Sequence, residues 1–161
     1  MTVPKRQRWI AVFIFFLFML LHQTDRLLIG PLTTSIMSEF DLNESQMGGV
    51  ISGALLISSV FYPIWGFLYD RFARPTLLSL ASLLWGVTTW FSAIAPTAPL
   101  FMLSRASTGI DDSSYSGMAS LTSDYFPPRM RGRIFGFLQI TIPIGYLLGL
   151  SFALFFGPRL G

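Results

Sequence analysis

The sequence predicts an all-α integral membrane protein, a bundle of about five transmembrane helices. Three observations carry this reading. The 161 residues are 52% hydrophobic and only 12% charged, against about 25% charged in an ordinary soluble domain, and the mean hydropathy is +0.60. Apolar runs recur five times, each reaching the roughly 20 residues that cross a bilayer. The basic residues gather in alternate links between those runs. Five such segments on short links leave no polar face for a water-soluble bundle.

The first segment, Trp9 to about Met37, opens on WIAVFIFFLFMLL, which lacks any polar side chain. HQTDRLLIG then places His22, Asp25 and Arg26 inside the apolar run, and Pro31 follows. If the span extends to Met37, its midpoint is near Gln23 and the Asp-Arg pair lies near the bilayer centre. If it stops at Pro31, the pair lies nearer the outer surface. KRQR resembles the start of a signal peptide, but the apolar stretch continues past Asp25 and no small-residue cleavage site closes it. The second segment, about Ser45 to Tyr69, carries Gly49 and Gly53, a G-x-x-x-G pair of the kind that lets helices approach closely in lipid. The third is Thr76 to Ala95. The fourth, Leu100 to about Phe126, is the most polar. The fifth, about Ile134 to Phe156, carries a second pair, Gly145 and Gly149, and Pro143, which is expected to kink it or loosen its hydrogen-bond ladder.

The links set orientation. Lys5, Arg6 and Arg8 precede the first span, Arg71 and Arg74 separate the second and third, and Arg129, Arg131 and Arg133 separate the fourth and fifth. These places share one side if every segment crosses. The opposite links, SEFDLNES and APTAP, contain no Lys or Arg. The positive-inside rule makes the basic side, and the N-terminus, cytoplasmic, in a multi-pass protein of the cell (inner) membrane. The high pI of about 9.7 is thereby a topology signal, and no nucleic-acid partner is expected. The chain has no Cys, which excludes disulfides and thiolate metal sites. No metal or cofactor is expected.

Asp or Arg at a helix centre costs roughly 2.5 to 3.5 kcal/mol on insertion scales, so a chain that keeps such groups usually uses or pairs them. The fourth segment holds a second polar cluster, RASTGIDDSSYSG. Arg105, Gly109, Asp112 and Ser116 follow i, i+4, i+7, i+11 and share one helical face. Asp111 is turned about 100° from Asp112, toward the face of Thr108 and Tyr115. Two readings stay open. One is an intramembrane ion-pair network, Asp25 and Arg26 with Arg105 and the Asp pair, that fixes helix packing. The other is a polar translocation cavity in which a carboxylate, Asp25 or Asp112, binds a proton. Desolvation raises a carboxylate's pKa and a neighbouring Arg lowers it, so such a group can switch protonation as water access changes. His22, one turn before Arg26, is either a proton relay or a hydrogen-bonded packing residue.

The link GFLYDRFARP aligns Gly66, Asp70, Arg71 and Arg74 with G-x-L-x-D-R-x-G-R-R/K, and so resembles the loop between helices two and three of the major facilitator superfamily. Ala73 stands where the family has Gly, and Pro75 where a second basic residue is common. Arg105 and Gly109 resemble that family's fourth-helix R-x-x-x-G. TDRLLIGPL, R-x-x-x-GI-x-x-x-SY, SDYFPPRMRGRIFGF and PIGYLLG are similar to its spinster-like branch. There Asp25 and Arg26 match a first-helix Asp-Arg pair, and Asp112 stands at the position of a Glu.

The resemblance implies the N-terminal part of a twelve-helix, two-halved transporter fold. It implies secondary active transport by alternating access, moving a small organic or amphipathic solute, a small molecule or a lipid-like substrate, with a proton as coupling ion. Asp25, Arg26, Arg105, Asp111, Asp112 and Tyr115 would line the cavity, and Gly66, Asp70, Arg71 and Arg74 would form a cytoplasmic gate. The chain is then expected to be a fragment lacking its C-terminal half. Two alternatives are a membrane scaffold or assembly protein without transport, and a metal-dependent membrane enzyme. The enzyme fits poorly: the acids are split between two spans, with no phosphate-binding loop or nucleophile-base pair.

Overall fold

The computed structural model describes residues 4–112 and 116–160. Among them are eight helices: α1 (Lys5–Leu28), α2 (Thr33–Phe40), α3 (Glu44–Arg71), α4 (Arg74–Ala93), α5 (Ala98–Asp112), α6 (Ser116–Tyr125), α7 (Pro128–Gln139) and α8 (Thr141–Leu160).

The first helix ends earlier than an apolar segment reaching Met37 implies. Pro31 has no N–H to donate, and its ring clashes with the carbonyl four residues back. The chain turns through 29–32 and restarts at Thr33, whose N–H bonds the Gly30 carbonyl at 3.2 Å. Asp25 and Arg26 therefore lie in the final turns of a 24-residue helix about 36 Å long, not at its centre. Asp41 then takes a left-handed backbone, φ 52°, a conformation that Asp tolerates. Asn43 caps α3 reciprocally: the Gln46 N–H donates to Asn43 Oδ1 at 2.8 Å and the Asn43 N–H donates to Gln46 Oε1 at 2.9 Å. With 28 residues, α3 is about 42 Å long, more than the ~30 Å hydrocarbon core. Pro63 lies within it without ending it. Phe72 and Ala73 link it to α4, where Pro75 occupies the first turn, a position that needs no N–H donor.

α7 and α8 are separated at Ile140, three residues before Pro143. Pro143 cannot donate to the Gln139 carbonyl, so the interruption falls where the missing bond would have been. Among the described residues, four helical stretches are long and apolar enough to cross a membrane: Arg6–Leu28, Glu44–Arg71, Arg74–Ala93 and Pro128–Phe155. The fourth predicted segment is described as α5 and α6, each too short or too polar to qualify alone.

The contacts divide the chain into two compact units, Met1–Ile36 with Thr122–Gly161, and Met37–Leu121. In the first unit α1 runs parallel to the α7–α8 segment. Phe16 stacks on Phe137 with ring centroids 5.0 Å apart, and further along Gln23 and Thr24 meet Gly145 and Thr24 meets Gly149. Trp9 and Phe15 make edge contacts with Phe126 and Tyr125, and Arg131 Nε donates to the Phe126 carbonyl at 3.0 Å.

In the second unit α3 and α5 are parallel: Gly49 approaches Met102, Gly53 approaches Ala106, and Gly109 abuts Ala54 and Ser58. α4 is antiparallel to α5, with Thr88 beside Asp111 and Ser92 beside Ser104. Direction thus alternates from α3 to α4 to α5, as successive membrane crossings require. Large apolar side chains point outward, among them Leu56 (67% exposed), Trp90 (70%) and Leu103 (67%). Polar side chains on these helices often bond their own backbone, as Ser79 does to Pro75 and Ser82 to Leu78, which satisfies them without water.

Candidate functional site

The acidic turn of α5 is built by its two neighbours. On the α3 side, Gly109 has no space for a side chain. A Cβ there would overlap the Ala54 carbonyl and stand 2.9 Å from the Ser58 nitrogen and 3.0 Å from Ile57 Cβ. This close approach lets Ser58 Oγ donate to the Gly109 carbonyl at 3.0 Å and Trp65 Nε1 to the Ile110 carbonyl at 2.7 Å. Two successive carbonyls of α5 are thereby held by α3. On the α4 side, Thr88 Oγ1 donates to Asp111 Oδ1 at 3.4 Å, and the hydroxyls of Ser92 and Ser104 lie 3.0 Å apart. Asp111 is only 2% exposed, whereas Asp112 and Arg105 are half-buried. Burial makes ionisation of a carboxylate depend on water access and neighbouring charge. The 100° that separates the two acids on the helix thus places them in different environments, the deeper one against α4. Tyr115 lies outside the described residues.

In the other unit, His22 and Gln23 are buried, Asp25 is half-buried and Arg26 is exposed. The His22 ring stacks on Phe18 at 5.8 Å. Thr24 Oγ1 bonds the Leu20 carbonyl at 2.8 Å. Gly145 sets α8 against this part of α1: a Cβ on it would stand 3.0 Å from Gln23 Cβ and 3.1 Å from the Thr24 nitrogen, and one on Gly149 3.3 Å from the Thr24 oxygen.

The link between α3 and α4 forms around a small core. Trp65, Tyr69, Leu77 and Ala81 are buried together, with Phe61, Leu68 and Leu84 packed against them. Arg74 Nε donates to the Tyr69 carbonyl at 3.4 Å, tying the start of α4 to the end of α3. The Arg71 guanidinium sits 5.8 Å above the Phe67 ring, within cation–π range. Asp70 is exposed, and nothing lies within 4 Å of a Cβ placed on Gly66. Gly117 of α6 lies against the Tyr69 ring, where a Cβ would overlap it.

Four contributors escape the sequence patterns: Ser58, Trp65, Thr88 and Gly117. Each looks ordinary in its own helix, and its role depends on which helix lies beside it. The one available signal was Trp65, a hydrogen-bond donor in an apolar span, which usually finds an acceptor when buried.

A family model for the Major Facilitator Superfamily matches residues 9–161. The chain is 30% identical over 145 residues to protein spinster of Drosophila melanogaster, covering 89% of this chain and 24% of that protein. It is 30% identical over 132 residues to a sphingosine-1-phosphate transporter of Xenopus tropicalis, covering 80% of this chain and 26% of the relative. It therefore spans about a quarter of the length of these curated relatives. The crystal structure of a bacterial homologue of the human lysosomal transporter spinster, inward-facing and occupied, matches its fold with a TM-score of 0.84 at 22% identity, over 91% of this chain and 32% of that one. The matched residues, the helical membrane architecture and the relatives agree: the chain belongs to the Major Facilitator Superfamily and resembles the N-terminal part of its spinster-like members.

Proposed function

We propose that this chain is the N-terminal part of a secondary active transporter that moves a small organic or amphipathic solute by alternating access, coupled to protons, and that it is not an enzyme. The observation that carries the coupling is Asp111, a carboxylate 2% exposed on a helix packed between two others. A buried acid is costly unless partnered, and inside a membrane it is a functional-site hypothesis by default. Asp112, Arg105, Asp25 and Arg26 are the further cavity residues of this reading, with Tyr115, and His22 a candidate relay. The Asp70–Arg74 link serves as the cytoplasmic gate, and Gly49, Gly53, Gly109, Gly145 and Gly149 let the helices pack closely.

The segments form five crossings, with α5 and α6 in the fourth, and the N-terminus is cytoplasmic. A C-terminal half supplies the opposing cavity wall. Sphingosine-1-phosphate is the first solute to assay, because one relative is a transporter of it. The mode is read from the same assay: solute moving with the proton flux marks a symporter, and solute moving against it an antiporter.

The test uses the complete transporter in liposomes with an imposed pH gradient. Asp111→Asn is expected to abolish gradient-driven solute movement while the protein remains folded, and Asp25→Asn and Asp112→Asn test the two further cavity acids in the same assay. Gradient-driven movement at the wild-type rate in Asp111→Asn would overturn coupling through that acid, and the same result in the other two variants would remove those residues from the coupling.

A further inference from the structure

We propose that Trp65 is a positioning residue that couples the Asp70–Arg74 link to the buried carboxylate of Asp111. The inference rests on the reading that Asp111 acts in transport.

Trp65 belongs to two structures at once. Its ring, 3% exposed, is part of the core beneath the link, tilted against Tyr69 with centroids 5.7 Å apart. Its indole N–H reaches the other way and donates to the Ile110 carbonyl at 2.7 Å, one peptide before Asp111. The contacts run without a gap. Arg74 bonds the Tyr69 carbonyl, Tyr69 packs on Trp65, Trp65 holds Ile110, and Asp111 accepts from Thr88 of α4. Arg74 and Thr88 lie on the same helix, so the path closes on itself. Gly109 removes slack: with its backbone against Ala54 and Ser58, the Ile110 carbonyl cannot shift along α3 without breaking the Ser58 bond as well. A packed core has discrete arrangements and does not deform continuously. A rearrangement of the link that moves Tyr69 therefore moves the Trp65 donor, and with it the Asp111 turn.

Spatial continuity is not coupling, so the test is a double-mutant cycle with a readout independent of transport. The complete transporter in lipid nanodiscs is treated with dicyclohexylcarbodiimide, which modifies carboxyl groups in apolar surroundings. The labelling rate of Asp111 is read by fragmentation mass spectrometry, which separates it from Asp112. The variants are Arg74→Gln, Trp65→Phe and the pair. Arg74→Gln is expected to change the rate by about two- to twelvefold, the range that one net hydrogen bond represents. The same change in a Trp65→Phe background is expected to be absent. Multiplying effects, or an unchanged rate in Arg74→Gln, would overturn the coupling. Should Trp65→Phe not fold, replacing the indole by its benzothiophene analogue removes the N–H alone and keeps the shape. Transport that survives Asp111→Asn would refute the functional reading yet leave the labelling cycle intact, so the two failures are distinguishable.

Discussion

Replacing Gly109 by Ala tests the α3–α5 contact on which the acidic turn depends. The new methyl group would meet the Ala54 carbonyl, the Ser58 nitrogen at 2.9 Å and Ile57 Cβ at 3.0 Å. Backbone atoms on a neighbouring helix cannot swing aside as a flexible side chain can, so α3 and α5 must separate. Overpacking of this kind costs about 1 to 3 kcal/mol. Separation also lengthens the Ser58 and Trp65 bonds to α5, now 3.0 and 2.7 Å. At about 0.6 kcal/mol for each interhelical bond in a membrane, their loss adds roughly 1 kcal/mol, for a total of roughly 2 to 4 kcal/mol. Gly48→Ala is the control, because nothing lies within 4 Å of its Cβ position on α3 and Ala favours a helix by about 0.8 to 1.0 kcal/mol over Gly. The assay is thermal or SDS-induced unfolding of the complete protein in detergent, followed by tryptophan fluorescence. A Gly109→Ala protein as stable as Gly48→Ala would refute the close-contact account.

Gly145→Leu should likewise part α8 from α1, since a Cβ at Gly145 already stands 3.0 to 3.2 Å from Gln23 and Thr24 backbone and Cβ atoms; a loss of about 1 to 3 kcal/mol in the same assay is expected, and an unchanged midpoint would contradict it. Single cysteines placed in this chain, which has none of its own, report its orientation in a complete protein whose other cysteines are replaced by Ser. Thr97→Cys should react with an impermeant maleimide added outside intact cells, and Gly132→Cys only after permeabilisation; the reverse pattern would invert the proposed topology.

The helical membrane architecture was legible because apolar length and the placement of Arg71, Arg74, Arg129, Arg131 and Arg133 are local properties of the chain. The two G-x-x-x-G spacings are equally local, whereas the atoms that Gly53, Gly145 and Gly149 approach belong to other helices. A composition that stays apolar on both sides of Pro31 does not fix the end of α1 at Leu28. The structure decides it through the missing N–H of that one residue. The acidic turn was only half legible. Helical periodicity separates Asp111 from Asp112 by about 100°, but which of them is buried depends on α4 lying alongside α5. Ser58, Trp65 and Thr88 became partners of that turn through parallel and antiparallel packing between helices distant in sequence, which no spacing within one helix encodes.

The alternatives differ in what they require of these groups. A purely structural polar cluster requires only that they be satisfied, as Ser92 and Ser104 are by the Thr88 and Phe101 carbonyls of their own helices. A coupling site requires that one carboxylate change protonation during the cycle. Membership of a transporter superfamily favours the second, and Asp111 is the residue on which the two readings diverge.

The most direct measurement is therefore solute movement by the Asp111→Asn form of the complete transporter in liposomes. The first experiment applies a pH gradient, and the second measures solute exchange at equal pH on both sides. The account predicts that gradient-driven accumulation is lost and that exchange persists, because the cavity still alternates when its proton site is fixed neutral. Accumulation at the wild-type rate would contradict proton coupling through the buried acid of α5.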